Sequence, residues 1–488
     1  MTDPPNLILI MTDQQRADSI NAMGAPWMHT PNLDRLVHEG TAFSKCFVNS
    51  PVCVGARSSL FMGKFPHGTG IFTNFQPWEP VWVSKLADAG YHCASIGKMH
   101  INPYDRLGGF HQRFPVENKD RPLFLDEHDR AFYDEWDKAL KARRLTKPTR
   151  YMRIAEDPES YREAVGCFPW ELDEDMHSDM FIGDTALWWL EDRQAKSPLF
   201  LQIGFPGPHP PYDPSPRFLD LYTDANIPVP TVTAAEIARQ PQAQAVYRQN
   251  LIDNNFDSVA WRHDVTAEEI LRIRRHYAAN ITMIDEKIGQ LMQMLKLKGY
   301  LENAVVIFTS DHADALGDHG HIQKWTMYDT VTTVPLIFWA PGRIPAGATN
   351  DSLVQLTDIA PTILNFANIP VPENFEAKTL LPKLVGVSDT APNEVVYSEL
   401  GRDHIQSGAE YIVMRRDRDW KLVYYQGEAD GELYDLNADP GEIENLWTYT
   451  DYSEQRNLLT RQVQDWIISN MRRAHMPLGR TPQPPLKF

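Results

Sequence analysis

The chain has 488 residues, more than one hydrophobic core usually organises, and its 42% hydrophobic content is that of an ordinary globular protein. Its formal net charge of -18 argues against a nucleic-acid or acidic-membrane partner, because such surfaces repel an acidic protein. Four widely spaced cysteines suit reduced thiols better than a disulfide framework. An anionic substrate would therefore need a local basic pocket.

The N-terminal segment enters a strand-like apolar run almost at once, without the basic, apolar and small-residue regions of a secretory leader. Apolar stretches elsewhere are interrupted by Pro, Asp or Gly well before they reach the length that spans a bilayer. We therefore expect a cytoplasmic protein with no membrane partner.

Short apolar runs, bounded by polar residues, predict strands that are buried on both faces. The first run is residues 7–11, and similar runs are residues 199–203, 305–309 and 336–339. Helical periods lie between them, and the clearest begins at a capping box of Thr266 and Glu269 and continues to Gly299. This alternation predicts an α/β fold with a mostly parallel sheet flanked by helices.

Two intervals, about 101–196 and 212–264, lack this regularity and are predicted to be insertions over the sheet edge. After residue 392 short alternating runs predict a small antiparallel sheet, followed by a helix near residues 453–471. We therefore expect a catalytic domain of residues 1–392 and a C-terminal α+β subdomain of residues 393–488. The insertions and the C-terminal tail would suit the subunit contacts of a homo-oligomer.

Polar residues stand at the ends of two predicted strands. Asp13 closes the first, and Asp311-His312 follows the strand at residues 305–309. Strand carboxyl ends converge on the ligand crevice of an open α/β sheet, so these three side chains are candidate metal ligands. An isolated Asp at such a position is more often a helix cap or a turn residue.

Cys53 is followed one helical turn later by Arg57, a spacing that suits attack on an anion. If a helix begins at about residue 54, its N-terminal N–H groups would face the group that Cys53 attacks, and Arg57 would add a bidentate donor. A cysteine considered alone is more often an inert buried thiol.

The segment around Cys53 and Arg57 resembles the sulfatase signature C-x-P-x-R, in which the cysteine is oxidised after translation to formylglycine. The resemblance extends from residues 5–15 to residues 432–440. The chain is therefore identified as similar to formylglycine-dependent sulfatases of the alkaline phosphatase superfamily, close to the branch of arylsulfatases and phosphonate monoester hydrolases. That resemblance implies an alkaline-phosphatase-like fold. Gly55 replaces the usual proline, at a position that bears on recognition by the formylglycine-generating enzyme.

The order Asp13, Cys53, Asp311 and His312 matches the metal-and-nucleophile pattern of this superfamily and implies one divalent metal ion. Many sulfatases have Asn in place of His312, and an all-oxygen set of ligands suits Ca²⁺. Imidazole moves the preference towards Mn²⁺ and is similar to the arrangement in phosphonate monoester hydrolases. Both metals remain open.

The resemblance implies four further catalytic residues, namely Lys98, His100, His209 and Lys324. Each of these, considered alone, is more often a solvated or structural residue. By similarity to the phosphonate hydrolases, Gln14 and Asn74 are implied to bind the substrate anion from the rim, although polar turn residues are nearly as common in such places.

The mechanism implied by the resemblance uses a formylglycine gem-diol, one oxygen of which attacks sulfur in line. Arg57, Lys98 and Lys324 would balance charge on the sulfuryl oxygens together with the metal. His209, with Lys324, would protonate the departing alcohol, and His100 would act as the base when sulfate is expelled.

The residues therefore predict a metal-dependent sulfatase that converts a sulfate monoester to an alcohol and inorganic sulfate. The alternative is a phosphonate monoester or phosphodiester hydrolase with the same nucleophile. Lys98 and His100 favour the sulfatase, because phosphonate hydrolases tend to carry uncharged residues there, whereas His312 favours the alternative. A third hypothesis, an unmatured anion-binding pseudoenzyme, would not need His100 or His209.

Overall fold

The computed structural model describes residues 3–74, 76–117, 119, 134–193, 198–387, 391–401 and 409–475. Within these residues the strands are β1 Asn6–Asp13, β2 Thr41–Phe47, β3 His92–Gly97, β4 Gln112–Pro115, β5 Leu199–Pro208, β6 Ala304–Ser310, β7 Thr333–Trp339, β8 Ala348–Asn350, β9 Val354–Gln355, β10 Val396–Gly401, β11 Tyr411–Arg416, β12 Trp420–Tyr425 and β13 Gly431–Asp435. The α-helices are α1 Pro31–Glu39, α2 Cys53–Met62, α3 Pro66–Thr69, α4 Val83–Asp88, α5 Glu135–Ala142, α6 Arg150–Glu156, α7 Pro158–Ala164, α8 Ser178–Asp192, α9 Pro216–Leu219, α10 Ala234–Arg239, α11 Gln242–Asn254, α12 Ala267–Leu297, α13 Asp329–Thr332, α14 Ile359–Phe366, α15 Leu381–Leu384 and α16 Ser453–His475.

The larger sheet has the strand order β4-β3-β5-β1-β6-β7-β2-β8, and β9 pairs with β2. Its pairs are parallel except where β7 runs antiparallel to β6 and to β2. All four apolar runs seen in the sequence lie in this sheet, as β1, β5, β6 and β7. The prediction of a mostly parallel sheet is confirmed.

The two faces of the sheet bury two different apolar cores. Leu7, Leu9 and Met11 of β1 pack on the side that carries α2 and α14. Ile8 and Ile10 pack on the opposite side, which carries α1, α8 and α12. Successive side chains of a strand point to opposite faces, so a continuous apolar run requires helices on both sides.

The longest described helix, α12, begins where the sequence predicts. The Thr266 hydroxyl accepts a hydrogen bond from the Glu269 backbone N–H, and the Glu269 carboxylate accepts one from the Thr266 N–H. This reciprocal capping box satisfies two N–H groups that would otherwise lack partners. The helix is followed by Gly299 in the left-handed conformation, with φ 78°.

The smaller sheet is antiparallel, in the order β10-β11-β12-β13, as predicted. Val396, Ile412 and Met414 on one face join a core with residues of α11 and α12. The other face packs against α16 through side chains that include Leu459 and Val463. The boundary proposed near residue 392, and the limits of the two insertions, stay predictions.

All four cysteines are buried and none forms a disulfide. Among the described helices, none combines the length and apolarity needed to cross a bilayer. The tail at residues 477–488, to which we assigned subunit contacts, lies outside the described residues.

Candidate functional site

Three elements bring the predicted metal ligands together. Strands β1 and β6 are parallel neighbours, with Thr12 opposite Ser310, so Asp13 and Asp311 emerge side by side at their carboxyl ends. The Asp311 N–H donates to the Thr12 carbonyl oxygen at 3.3 Å. Helix α2 begins at Cys53, in agreement with the predicted start, and is buried along most of its length.

Asp13, Cys53, Asp311 and His312 form a buried cluster whose potential ligand atoms all lie within 4.8 Å of one another. The Cys53 Sγ is 3.1 Å from His312 Nε2 and 3.6 Å from Asp13 Oδ1. Two carboxylates, an imidazole and the side chain of residue 53 make a donor set that fits one divalent cation.

Backbone groups orient two of these ligands. His312 Nδ1 donates to the Ala313 carbonyl oxygen at 3.1 Å, which leaves the Nε2 lone pair directed into the cluster. Asp311 Oδ1 accepts hydrogen bonds from the N–H groups of Gln14 at 3.1 Å and His312 at 2.9 Å. These hydrogen bonds fix the orientation of both ligand side chains.

Arg57 joins three segments of the site. Its Nε donates to Asp311 Oδ2 at 2.6 Å, its Nη1 to the Lys98 carbonyl oxygen at 2.9 Å, and its Nη2 to the Thr12 carbonyl oxygen at 3.2 Å. A guanidinium has five N–H donors, so about two remain for a ligand. Arg57 therefore holds the site together as well as offering donors to an anion.

Lys98 follows β3 directly, and its Nζ forms an ion pair with Asp13 Oδ2. Burial would raise the pKa of Asp13, but Lys98, followed by His209 and His312, outweighs it and holds that pKa well below its usual value. Burial would lower the pKa of Lys98, but Asp13 outweighs it and raises that pKa. Both side chains are therefore charged at neutral pH.

The thiol of Cys53 is in a different state. Burial, and then the charge of Asp13, raise its pKa more than Lys324 and Lys98 lower it. An unmodified Cys53 is therefore a neutral thiol near pH 7, and a neutral thiol is a poor nucleophile.

Gly55 has a packing role in the first turn of α2. A Cβ at this position would lie 2.6 Å from the Oγ and 2.8 Å from the Cβ of Ser50. The departure from the usual proline therefore has a physical reason within this fold, since a larger residue would require Ser50 to move.

His209 and Lys324 meet next to Cys53. His209 follows β5, and its N–H donates to the Asp13 carbonyl oxygen at 3.1 Å. Lys324 Nζ lies 2.8 Å from His209 Nε2 and 3.5 Å from Cys53 Sγ. Asp257, which the sequence did not single out, lies 3.4 Å from each of the two nitrogens. No motif marks Asp257, because it belongs to the irregular interval 212–264.

His100 has a left-handed backbone, with φ 64°. Its N–H donates to Glu117 Oε2 at 2.8 Å, and its carbonyl oxygen accepts from Trp78 Nε1 at 2.7 Å. Burial, and then the positive charges of Lys98 and Arg57, hold the pKa of His100 well below its usual value. Its Nδ1 is buried and has no hydrogen-bond partner among the described residues. Glu117 is a second contact that sequence reasoning missed.

The two predicted rim residues differ in position. Gln14 is buried, and its Nε2 donates to Asp314 Oδ2 at 2.6 Å, so this amide is already engaged within the protein. Asn74 is exposed in a turn, and no contact joins it to the cluster among the residues that the structure describes. An anion-binding role for either residue stays a prediction.

Family comparisons agree along most of the chain. The family model for sulfatases matches residues 5–369, and the model for the C-terminal region of N-sulphoglucosamine sulphohydrolase matches residues 317–468. An arylsulfatase of Clostridium perfringens (strain 13 / Type A) is 28% identical, covering 94% of this chain and 93% of its own length. A choline-sulfatase of Rhizobium meliloti (strain 1021) is 29% identical, covering 91% and 83%.

Solved structures give the same fold. The phosphonate monoester hydrolase of Agrobacterium radiobacter superposes with a TM-score of 0.77, at 25% identity and 96% coverage of each chain. That of Silicibacter pomeroyi superposes with a TM-score of 0.78, at 21% identity and the same coverage. Because the sulfatase model matches most of its length, this chain belongs to the sulfatase family, within the alkaline phosphatase superfamily.

Proposed function

We propose that this sulfatase hydrolyses sulfate monoesters to an alcohol and inorganic sulfate, with residue 53 as the nucleophile after its oxidation to formylglycine and with one bound divalent cation. The observation that carries the proposal is the convergence of Cys53 with Asp13, Asp311 and His312 in one buried cluster, next to the cation of Lys98.

The donor set is compatible with Mn²⁺ or Ca²⁺. A bound cation would supply Lewis-acid stabilisation of charge on the sulfuryl oxygens. The imidazole of His312 favours Mn²⁺, whereas the carboxylates of Asp13 and Asp311 also suit Ca²⁺. We therefore include one divalent cation, either Mn²⁺ or Ca²⁺, in the proposal.

The state of Cys53 supports its modification, because a neutral, buried thiol would attack a sulfate ester poorly. Formylglycine would supply a hydrated aldehyde, with one oxygen to attack sulfur and a second hydroxyl to release sulfate. The formylglycine-generating enzyme is therefore a proposed partner. The contact of Gly55 with Ser50 accounts for the missing proline by packing in the folded chain.

The charged residues of the site would divide the remaining work. Arg57, Lys98 and Lys324 supply the local positive charge that a sulfate ester needs in an acidic protein. Lys324 Nζ lies 3.5 Å from Cys53 Sγ and 2.8 Å from His209 Nε2, so this pair would protonate the leaving alcohol. The unpartnered, neutral Nδ1 of His100 suits a base that assists sulfate release.

A phosphonate monoester or phosphodiester hydrolase is the second candidate function. His312 in the donor set supports it, as does the 25% identity to the solved phosphonate monoester hydrolase of Agrobacterium radiobacter. Cross-reactivity between the two substrate classes is expected, because their tetrahedral anions are similar in size and shape.

The deciding experiment combines mass spectrometry with steady-state kinetics on substrates that share one leaving group. We expect formylglycine in the peptide that contains residue 53, and a higher kcat/KM for 4-nitrophenyl sulfate than for a 4-nitrophenyl phosphonate monoester or phosphodiester. A preference for the phosphonate would assign the second function. Full activity with only unmodified Cys53 would refute the proposed nucleophile.

The cellular and quaternary predictions extend the proposal to a homo-oligomer in the cytoplasm. The two long insertions are the sequence feature that suits subunit contacts. Size-exclusion chromatography with light scattering measures the oligomeric state directly, and a monomer at micromolar concentration would contradict it.

A further inference from the structure

The side chains of His209, Asp257 and Lys324 form a triangle next to Cys53. Lys324 Nζ is 2.8 Å from His209 Nε2, and Asp257 Oδ2 is 3.4 Å from each of these nitrogens. His209 Nδ1 donates to the Pro210 carbonyl oxygen at 2.7 Å, so Nε2 is the ring nitrogen that faces the triangle. We call these three residues the leaving-group triangle.

Asp257 is the member of the triangle that reaches solvent. Its side chain is 28% exposed, whereas those of His209 and Lys324 are 5% and 6% exposed. Burial would raise the pKa of Asp257, but Lys324 and then His209 outweigh it and hold that pKa well below its usual value. The triangle therefore contains a carboxylate anion at neutral pH.

The chain around Asp257 turns through several residues with positive φ. Asn255, Asp257 and Ser258 all have positive φ, at 47°, 53° and 67°. Asn255 is the left-handed C-cap of α11, a position that Asn often takes, and Ser258 is the residue at which a left-handed backbone is least expected. The Phe256 carbonyl oxygen accepts a hydrogen bond from Gln323 Nε2 at 2.9 Å, which ties this turn to the residue before Lys324.

A pair of nitrogens that delivers one proton to the leaving oxygen carries a positive charge, and a counter-charge stabilises it. Lys324 Nζ and His209 Nε2, 2.8 Å apart, share one proton and one positive charge, and an anion equally distant from both nitrogens offsets that charge. The carboxylate of Asp257 has that position. Among the described residues, no other carboxylate forms an ion pair with both nitrogens.

We propose that Asp257 is a positioning residue that holds His209 and Lys324 as the proton-donating pair for the leaving oxygen. The inference rests on the proposed function and deepens it. When the S–O bond breaks, its electron pair stays on the alcohol oxygen, and a proton from the pair completes the alcohol. Asp257 itself transfers no proton.

The consequence depends on the leaving group. A phenol of low pKa departs as its anion with little help, whereas an aliphatic alcohol requires the proton during bond cleavage. Loss of Asp257 should therefore slow alkyl sulfates much more than activated aryl sulfates. A residue that merely supports the fold would slow both classes equally.

The test measures kcat and KM for wild type and Asp257→Asn on aryl sulfates of rising phenol pKa and on one alkyl sulfate. We expect kcat to fall about hundredfold for the alkyl sulfate and by less than about threefold for 4-nitrophenyl sulfate, since positioned acids contribute about that much. Asp253→Asn is the matched control, because that carboxylate is bound to Gln249 on α11. Its profile should equal that of wild type.

Asp257→Glu keeps the charge but displaces it by one methylene, so it should show a smaller loss with the same leaving-group dependence. If thermal melting shows that Asp257→Asn does not fold, Asp257→Glu provides the test of the proposal instead. A loss that is equal across the series, or no loss, overturns the role of Asp257. Wild-type enzyme that hydrolyses no sulfate ester would instead refute the proposed function.

Discussion

The two halves of the site are built from different kinds of structure. The nucleophile half, with Asp13, Cys53, Asp311 and His312, lies at the ends of β1 and β6 and at the start of α2, where each side chain is almost completely buried. The leaving-group triangle comes from segments outside regular strands and helices, and one of its members reaches solvent. In the proposed mechanism a rigid scaffold would therefore support bond formation, while irregular segments would supply the groups that meet the variable part of the substrate.

The largest expected effect is the loss of activity when the nucleophile half is disrupted at residue 53. Cys53→Ala should lower kcat by at least about four orders of magnitude, as removal of a nucleophile does in other enzymes. The loss should be equal for activated and unactivated sulfates, in contrast to Asp257→Asn. Steady-state kinetics and peptide mass spectrometry measure both features, and substantial residual turnover would show that another group attacks sulfur.

The positions of the nucleophile half could be predicted from the sequence, because local residue patterns mark the ends of strands. One apolar run ends in Asp13, and another precedes Asp311. The two runs form neighbouring parallel strands, so both carboxylates lie at the same sheet edge regardless of the loop conformations. Local patterns also predicted the capping box of α12 and the antiparallel strands after residue 392. The resemblance to sulfatases then supplied the roles of His209 and Lys324.

The sequence did not predict that Asp257 and Glu117 contact the site, and the physical reason is the same for both. Neither belongs to a periodic element, and their partners lie far away in the chain, at His209 and His100. The turn at Asp257 has positive φ values at Asp257 and Ser258, which hydrophobic periodicity does not predict. Sequence patterns report strands and helices better than the loops that complete a site.

Removal of the proposed metal ion should distinguish the two halves of the site, because only the nucleophile half contains its ligands. Removal of the cation with a chelator should lower kcat about a thousandfold, since a Lewis acid contributes several kcal/mol. Mn²⁺ should restore more activity than Ca²⁺ to wild type, and His312→Asn should shift the preference towards Ca²⁺. Elemental analysis with reconstitution measures this, and Asp257→Asn is the control that should keep the wild-type preference. A metal-free active enzyme would contradict the assignment.

Substitutions in the two halves should also lower the free energy of unfolding by different amounts. The Arg57 and Asp311 side chains are both 0% exposed, so Arg57→Met leaves a buried carboxylate without its partner and should cost at least about 3 kcal/mol of unfolding free energy in the metal-free protein. Asp257→Asn removes the partner of a nearly buried cation, but at a group that is 28% exposed and partly screened by solvent, so it should cost less than Arg57→Met. Urea unfolding of the two variants measures the difference, and equal losses would contradict the distinction.

The smallest expected effect concerns specificity, which we attribute to Lys98 and His100. A sulfate monoester carries one negative charge and a poorly activated sulfur, so catalysis must stabilise charge on the leaving oxygen and assist release of sulfate. Lys98 supplies a cation next to Asp13, and His100 supplies a neutral, unpartnered Nδ1. Wild type should therefore have a higher kcat/KM for an aryl sulfate than for a matched phosphonate monoester.

Removing either residue should narrow this preference by about tenfold, or roughly 1.4 kcal/mol of transition-state stabilisation. His100→Ala is the cleaner variant, because Lys98→Met also leaves the buried Asp13 carboxylate without its counter-charge. His263→Ala, at an exposed histidine bound to Gln249, is the matched control and should leave the ratio unchanged. The ratio of the two kcat/KM values cancels losses of folded enzyme, so it isolates the chemistry. Equal losses towards sulfate and phosphonate would mean that Lys98 and His100 serve the shared nucleophile half and do not select the substrate.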